Sequence, residues 1–173
     1  TLGATMSESQ IHTIKEIAKR ISSEDDRRNK LAHTIDELLG ERQEVLVAYV
    51  ELAALESGNA PLDEVLTKLK RFNQRLVDYA ALGHFEIYQR IMDGKERRES
   101  IKAIASEIYP VISRTTDYFV EFNDKYEGAD GRDSITPLSE DLSLIGETMA
   151  SRIEKEDKLL REMSDQVLLH KGN

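Results

Sequence analysis

Hydrophobic residues recur every three or four positions along most of this chain, which is the spacing of amphipathic helices. The first such segment, SESQIHTIKEIAKRI, opens with the capping-box pair Ser7 and Gln10 and predicts a short N-terminal helix. Its predicted apolar face consists of Ile11, Ile14, Ala18 and Ile21. The polar stretch at residues 22–30 then predicts a break before the second helix.

Two long helices are predicted next, over residues 31–56 and 61–92, with the turn sequence SGNAP between them. In the second helix the residues expected to face inward are Ile35, Leu38, Leu39, Val45, Leu46, Tyr49, Val50 and Ala53. In the third they are Leu62, Leu66, Leu69, Leu76, Ala80, Gly83 and Ile87, with Asn73 in the one remaining position of that register. This alternation of three and four is typical of a helical bundle.

Two further helices complete the predicted fold. The fourth covers residues 96–126 and contains Pro110, which predicts a kink or a break. The last starts with Thr136 as N-cap and Pro137 as first helical residue, and continues to about His170. The inward residues of these two helices are Ile101, Ile104, Ile108, Ile112, Phe119 and Phe122, then Leu138, Leu142, Ile145, Met149, Leu160, Met163 and Val167. Long helices joined by short loops favour one all-α domain over residues 1–173, an antiparallel four-helix bundle with an additional N-terminal helix.

The stretch LVDYAALGHFEIYQRI, at residues 76–91, has apolar residues on two sides of the third helix. At about 100° per residue, Asp78, Ala81, Leu82 and Phe85 lie opposite the predicted core face. Either Leu82 and Phe85 pack beneath another helix or beneath the N-terminal segment, or this second face is an exposed docking surface for a partner.

Composition and charge narrow the possible functions. The net charge of −9 is unfavourable for direct binding to nucleic acid and favours a basic protein partner. The chain has no cysteine, no signal-like N-terminus and no apolar run longer than VLVAYV, so the sequence predicts a cytoplasmic protein that does not cross a membrane.

No arrangement of residues indicates catalysis, a cofactor or a metal. The four histidines, His12, His33, His84 and His170, are dispersed, and no Glu-x-x-His pair of a di-iron bundle occurs. The acidic loop GADGRDS at residues 128–134 lacks the ligand pattern of an EF-hand, so a turn is predicted there. The residue that needs an explanation is Glu156, on the apolar seam of the last helix one turn after Arg152. It forms either a buried ion pair with Arg152 or a polar ligand site.

Three segments resemble the Rsd/AlgQ family of bacterial sigma-factor-binding regulators. They are LVDYAALGHFEIYQRI, similar to the family's LVDYxSxGHFxxYExx; IDELLGERQEVLVAY, similar to LIDRWLxxRxxLLVAY; and RIEKEDKLL, similar to RFxLEDxLI. The resemblance covers residues 35–169, whereas residues 1–30 are unmatched. Ala81 stands where the family often has serine, and Glu37 and Leu38 replace its Arg-Trp pair.

The resemblance implies a helical bundle, not an enzyme, that sequesters the primary sigma factor by holding its region 4. Region 4 would then be kept from the RNA polymerase core and from promoter DNA. The sigma-contacting positions of the family fall on Asp78, Ala81 and Phe85. Some relatives are linked to the sugar phosphotransferase phosphocarrier and to stringent-response enzymes, which are further possible partners. The alternative from a different functional class is a bundle that senses a small ligand or metal near Glu156 and His84.

Overall fold

The computed structural model describes the backbone of residues 8–169, and within that range every side chain except those of residues 9–11, 21, 24 and 165–169. Residues 8–169 form helices and turns and no strand, so the predicted all-α class is confirmed. The elements are α1 (Glu8–Glu56), α2 (Leu62–Ala81), a π-helical segment (Leu82–Tyr88), α3 (Gln89–Met92), α4 (Glu99–Tyr126), a 3-10 turn (Asp133–Ile135) and α5 (Leu138–Leu169). The predicted cap at Ser7 and the predicted end at His170 lie outside the described residues.

The chain divides into two compact units between Asp36 and Glu37. In the first unit the predicted break at residues 22–30 is wrong, because α1 is helical throughout this stretch. The stretch contains neither glycine nor proline, and its charged side chains form local bonds of helical spacing. Arg27 Nε donates to the Ser23 carbonyl at 3.2 Å, and Arg28 lies 3.6 Å from Asp25. Polar composition alone therefore does not end a helix of good helix formers.

The second unit contains the hydrophobic core, where α4 packs against α2 and α5. Phe72 and Phe122 meet edge to face with ring centroids 5.7 Å apart. The predicted inward residues of α5 from Leu138 to Met163 are all buried, and those of α4 are buried except the half-buried Ile104. In the third helix the core positions Leu69, Leu76, Ala80, Gly83 and Ile87 are buried, as is Asn73, whereas Leu62 and Leu66 are half-buried.

The inward face predicted for α1 is partly wrong. The buried positions of α1 within residues 31–56 are Ile35, Leu38, Val45, Ala48 and Leu52, which follow one another at helical spacing. Leu39, Leu46 and Val50 are exposed instead. Both sets have helical periodicity, and one helix can turn only one of them toward the core. The exposed set lines a shallow apolar groove of about 630 Å³.

The ends of α4 and α5 differ from prediction for local reasons. Helix α4 starts at Glu99 because the Glu96 carboxylate accepts bonds from the Arg98 backbone N–H and guanidinium, which keeps that stretch extended. It continues through the exposed Pro110 without a break, since proline removes only one helix hydrogen bond. The kink remains a prediction.

Before α5, the cap predicted at Thr136 is wrong. Thr136 has helical backbone angles, and its hydroxyl donates to the Arg132 carbonyl at 3.3 Å instead of receiving a bond from the new helix. Helix α5 begins at Leu138, one residue after the predicted Pro137. The preceding loop is a turn held by Ser134, whose hydroxyl oxygen accepts bonds from the Asp130 and Gly131 N–H groups.

Candidate functional site

A buried ion cluster joins three helices of the second unit around Glu156. The Glu156 side chain is fully buried and accepts hydrogen bonds from Arg42 Nη2 at 2.8 Å, Tyr79 Oη at 2.5 Å and Tyr88 Oη at 3.1 Å. Arg42 also donates to Asp157 Oδ1 at 2.7 Å. The Glu156 carboxylate therefore receives hydrogen bonds from α1 and from the third helix. The third helix comprises α2, the π-helical segment and α3.

Arg152, the partner predicted for Glu156, lies in the same cluster with a different principal role. Its Nε atom is 3.9 Å from Glu156 Oε2, too far for a hydrogen bond. The guanidinium donates to the hydroxyls of Thr115 and Thr116 on α4, at 3.0 and 2.8 Å. Its carbon lies 5.4 Å from the ring centres of both Tyr79 and Phe119. Arg152 thus connects the ion cluster on α5 to α4 by hydrogen bonds.

Burial and neighbouring charges keep Tyr79, Tyr88 and Arg42 protonated around neutral pH. Burial, reinforced by the Glu156 carboxylate, raises the pKa of Tyr79 and Tyr88 above the ordinary tyrosine value, so both hydroxyls stay protonated donors. Burial lowers the pKa of Arg42, but its bonds to Glu156 and Asp157 raise it by more, and the guanidinium stays charged. We therefore interpret the ion cluster as structural.

The π-helical segment allows the third helix to supply two tyrosines to one carboxylate. In a regular α-helix, residues nine positions apart point about 180° from each other, so Tyr79 and Tyr88 could not share a partner. The wider π turns take up an extra residue and bring both hydroxyls to Glu156. Gly83 permits the close approach, since a Cβ there would lie 3.2 Å from Arg152 Nη2 and 3.6 Å from Glu156 Oε2.

The opposite side of the third helix carries the four residues that the sequence predicts as an outer face: Asp78, Ala81, Leu82 and Phe85. Asp78 is exposed, Ala81 and Leu82 are half-buried, and the Phe85 side chain is 61% exposed. All four line one groove of about 560 Å³. Phe85 is thus largely exposed among the described residues, whereas Leu82 is partly covered, and the use of this face for docking stays a prediction.

We call this cavity the docking groove. Its remaining lining residues are Glu37, Gly40, Glu41 and Glu86. Four of the eight lining residues carry carboxylates and none carries a positive charge, so the groove combines an apolar floor with an acidic rim. The acidic residues of α1 were not predicted, because the pairing of α1 with the third helix could not be derived from periodicity.

Sequence reasoning also missed the partners of Glu156, although signals for them existed. Arg42 interrupts the apolar seam of α1 between Leu38 and Val45, just as Glu156 interrupts that of α5. Two opposite charges on the seams of two core helices are typical of a buried pair. Tyr79 and Tyr88 gave no comparable signal, because regular helical geometry places them on different sides.

The alternative of a small-ligand or metal sensor near Glu156 and His84 stays a prediction. Among the side chains that the structure describes, no three or more histidine, cysteine, aspartate or glutamate residues come together in a group that could hold a metal ion. The His84 ring contacts Phe85 and Tyr109, with centroid separations of 5.1 and 6.2 Å. In the same part of the chain, no helix has both the length and the hydropathy needed to cross a membrane.

Comparison with known proteins assigns the chain to a family. Residues 17–164 match the family described as regulator of RNA polymerase sigma(70) subunit, Rsd/AlgQ. The chain belongs to the Rsd/AlgQ family. The match includes the whole docking groove and the whole ion cluster, and therefore both faces of the third helix.

Individual relatives of the family show the same extent of similarity. The protein named regulator of sigma D from Yersinia enterocolitica is 35% identical over 132 residues, which covers 73% of this chain and 78% of the relative. Proteins of the same name from Yersinia pseudotuberculosis and an Enterobacter strain are each 34% identical, over 130 and 134 residues. These alignments cover 73% and 76% of this chain, and 77% and 79% of the two relatives.

Proposed function

We propose that this protein regulates transcription by binding the primary sigma factor through region 4, with the docking groove as the contact surface. The observation that carries the proposal is the exposure of Phe85 beside Leu82 and Ala81 in a groove rimmed by carboxylates. An exposed aromatic residue in an apolar, acid-rimmed groove suits a basic helix that brings its own apolar residues. Membership in a family described by its action on sigma(70) supports the choice of partner.

The mechanism we propose is competition. Region 4 of a sigma factor is a helix-turn-helix module that contacts the polymerase core and promoter DNA, and basic residues serve its contacts with phosphate. A protein of net charge −9 offers such a surface an alternative acidic partner and accelerates the encounter. Region 4 held in the docking groove is then withheld from both of its normal partners.

The fold that presents the groove is, in this proposal, an antiparallel four-helix bundle. Hydrogen bonds from Arg42 on α1 to α5, and from Tyr79 in α2 to α5, support three long helices packed side by side. The contacts of α4 with α2 and α5 support the fourth. Such a bundle holds the third helix rigidly, which limits the entropy lost when a partner binds its outer face.

The direct test measures binding and competition in the same experiment. Purified protein is titrated into labelled region 4 of the primary sigma factor of the same cell, and then into that sigma factor bound to core polymerase. We expect saturable one-to-one binding of region 4 and release of sigma factor from the core. Binding of the full sigma factor without binding of region 4 would contradict the proposed contact, and no binding of either would contradict the proposed function.

A further inference from the structure

Glu41 differs from the other acidic residues of the docking groove. It is partly buried on α1, and its Oε2 atom is inaccessible to solvent and has no hydrogen-bond partner among the described residues. Glu156 in the ion cluster differs from Glu41, because both of its carboxylate oxygens accept hydrogen bonds. Glu41 is thus a groove-lining carboxylate with unused hydrogen-bonding capacity.

An unpartnered carboxylate oxygen away from water is costly for a free protein. Burial removes its hydration, and only a hydrogen-bond donor or a positive charge offsets that loss. The groove supplies neither, since its other charged residues are Glu37, Asp78 and Glu86, all of the same sign. A molecule that occupies the groove can supply this donor once the Glu41 carboxylate turns toward it.

We infer that Glu41 is a specificity-determining residue that accepts a hydrogen bond from a lysine or arginine of region 4. That basic side chain is expected on the same region 4 helix as the apolar residue that covers Phe85, because both residues line one groove of about 560 Å³. A partner with an apolar or acidic residue at this point would leave Glu41 unpaired and would be rejected. The inference rests on the proposed function.

The experiment compares Glu41→Gln with Glu44→Gln. Glutamine keeps the shape of the side chain but removes its charge, and Glu44 is an exposed residue of α1 outside the groove. We expect Glu41→Gln to weaken region 4 binding by about 10-fold or more, because a charged hydrogen bond is lost. Its melting temperature should equal or exceed that of the wild type, because an unpaired charge is removed from a partly buried position. Glu44→Gln should change neither quantity.

A charge-swap experiment identifies the basic residue of the partner. Each lysine and arginine of region 4 is changed to glutamate and titrated against Glu41→Lys. We expect one of these variants to bind Glu41→Lys at least about 10-fold more tightly than wild-type region 4 does, since the swap restores an opposite-charge pair. Absence of any such recovery would overturn the inference.

Two outcomes separate this inference from the proposed function. Wild-type affinity of Glu41→Gln, in a preparation where Phe85→Ala loses binding, would reject the role of Glu41 and leave the docking groove in place. A fall in the melting temperature of Glu41→Gln would also reject it, by making Glu41 a stabilising residue of the fold. If the wild-type protein does not bind region 4 at all, the proposed function itself fails.

Discussion

The two faces of the third helix differ in how far the fold accounts for them. On the inner face, Tyr79 and Tyr88 are fully buried and donate to Glu156, and Gly83 fits against Arg152. On the outer face, Phe85 is 61% exposed and contacts only the ring of the adjacent His84 among the described aromatic residues. One face is explained by packing and hydrogen bonding within the chain, whereas the other is not.

This difference teaches that apolar character on both sides of a helix can have two separate causes. The inner face is needed for folding, and a change there should lower stability first. The outer face leaves most of the Phe85 side chain exposed, so we expect a change at Phe85 to lower affinity before stability. The π-helical segment separates the buried face from the exposed one, because it brings Tyr88 inward within three residues of the exposed Phe85.

The largest effect is expected at the centre of the inner face. Glu156→Ala should lower the free energy of unfolding by about 3 to 5 kcal/mol, because two guanidinium groups and two tyrosine hydroxyls lose a buried partner. Chemical denaturation followed by circular dichroism measures the change. The control is Glu107→Ala, which removes an exposed ion pair with Lys158 and should leave stability unchanged. Unchanged stability with lost sigma binding would make Glu156 a contact residue instead.

Two phenylalanines provide a matched pair for the comparison of buried and exposed positions. Phe72→Ala, at a fully buried site of α2, should cost about 3 to 5 kcal/mol of folding stability through the cavity it creates. Phe85→Ala should leave the melting temperature unchanged and weaken region 4 binding by about 2 kcal/mol or more. If Phe85→Ala destabilises the fold as much as Phe72→Ala does, the outer face is core and the comparison fails.

Two glycines test the close approach on the inner face. Gly83→Ala places a methyl group 3.2 Å from Arg152 Nη2 and should cost about 1 to 3 kcal/mol of stability through overpacking. Gly40→Ala, within α1 and with no atom within 4 Å of the added Cβ, should stabilise the helix by about 0.5 to 1 kcal/mol. Thermal unfolding of both variants measures these changes, and a stabilising Gly83→Ala would contradict the packing described here.

The smallest effect on folding is expected at Asp78. Asp78→Lys reverses an exposed charge on the outer face, so stability should change by no more than about 0.5 kcal/mol. Association with region 4 should become slower, and the salt dependence of the association rate should flatten. Stopped-flow measurements at several salt concentrations test this, and an unchanged rate at low salt would remove Asp78 from the contact surface.

Several features of this structure follow from sequence periodicity alone. The helical class, the end of α1 at Glu56, the extent of the third helix and the buried residues of α5 all reflect apolar spacing and turn residues. The grouping of Asp78, Ala81, Leu82 and Phe85 on one side of the helix was also predicted. These residues lie before the π-helical segment or in its first half, where the backbone has departed little from regular α-helical positions.

The features that could not be predicted depend on contacts between distant parts of the chain. The partners of Glu156 come from residues 77 and 114 positions away. The contribution of Glu41 to the docking groove likewise requires α1 beside the third helix. The helix break predicted at residues 22–30 was wrong for a different reason, since charged residues without glycine or proline retain good helix propensity.

The most direct test of the account is the affinity of the double variant Asp78→Lys, Phe85→Ala for region 4, measured together with its free energy of unfolding. The account predicts a folded protein of nearly wild-type stability whose region 4 affinity is reduced by about 2 kcal/mol or more. A stable double variant that binds region 4 with wild-type affinity would contradict the central claim that the outer face of the third helix is the docking surface.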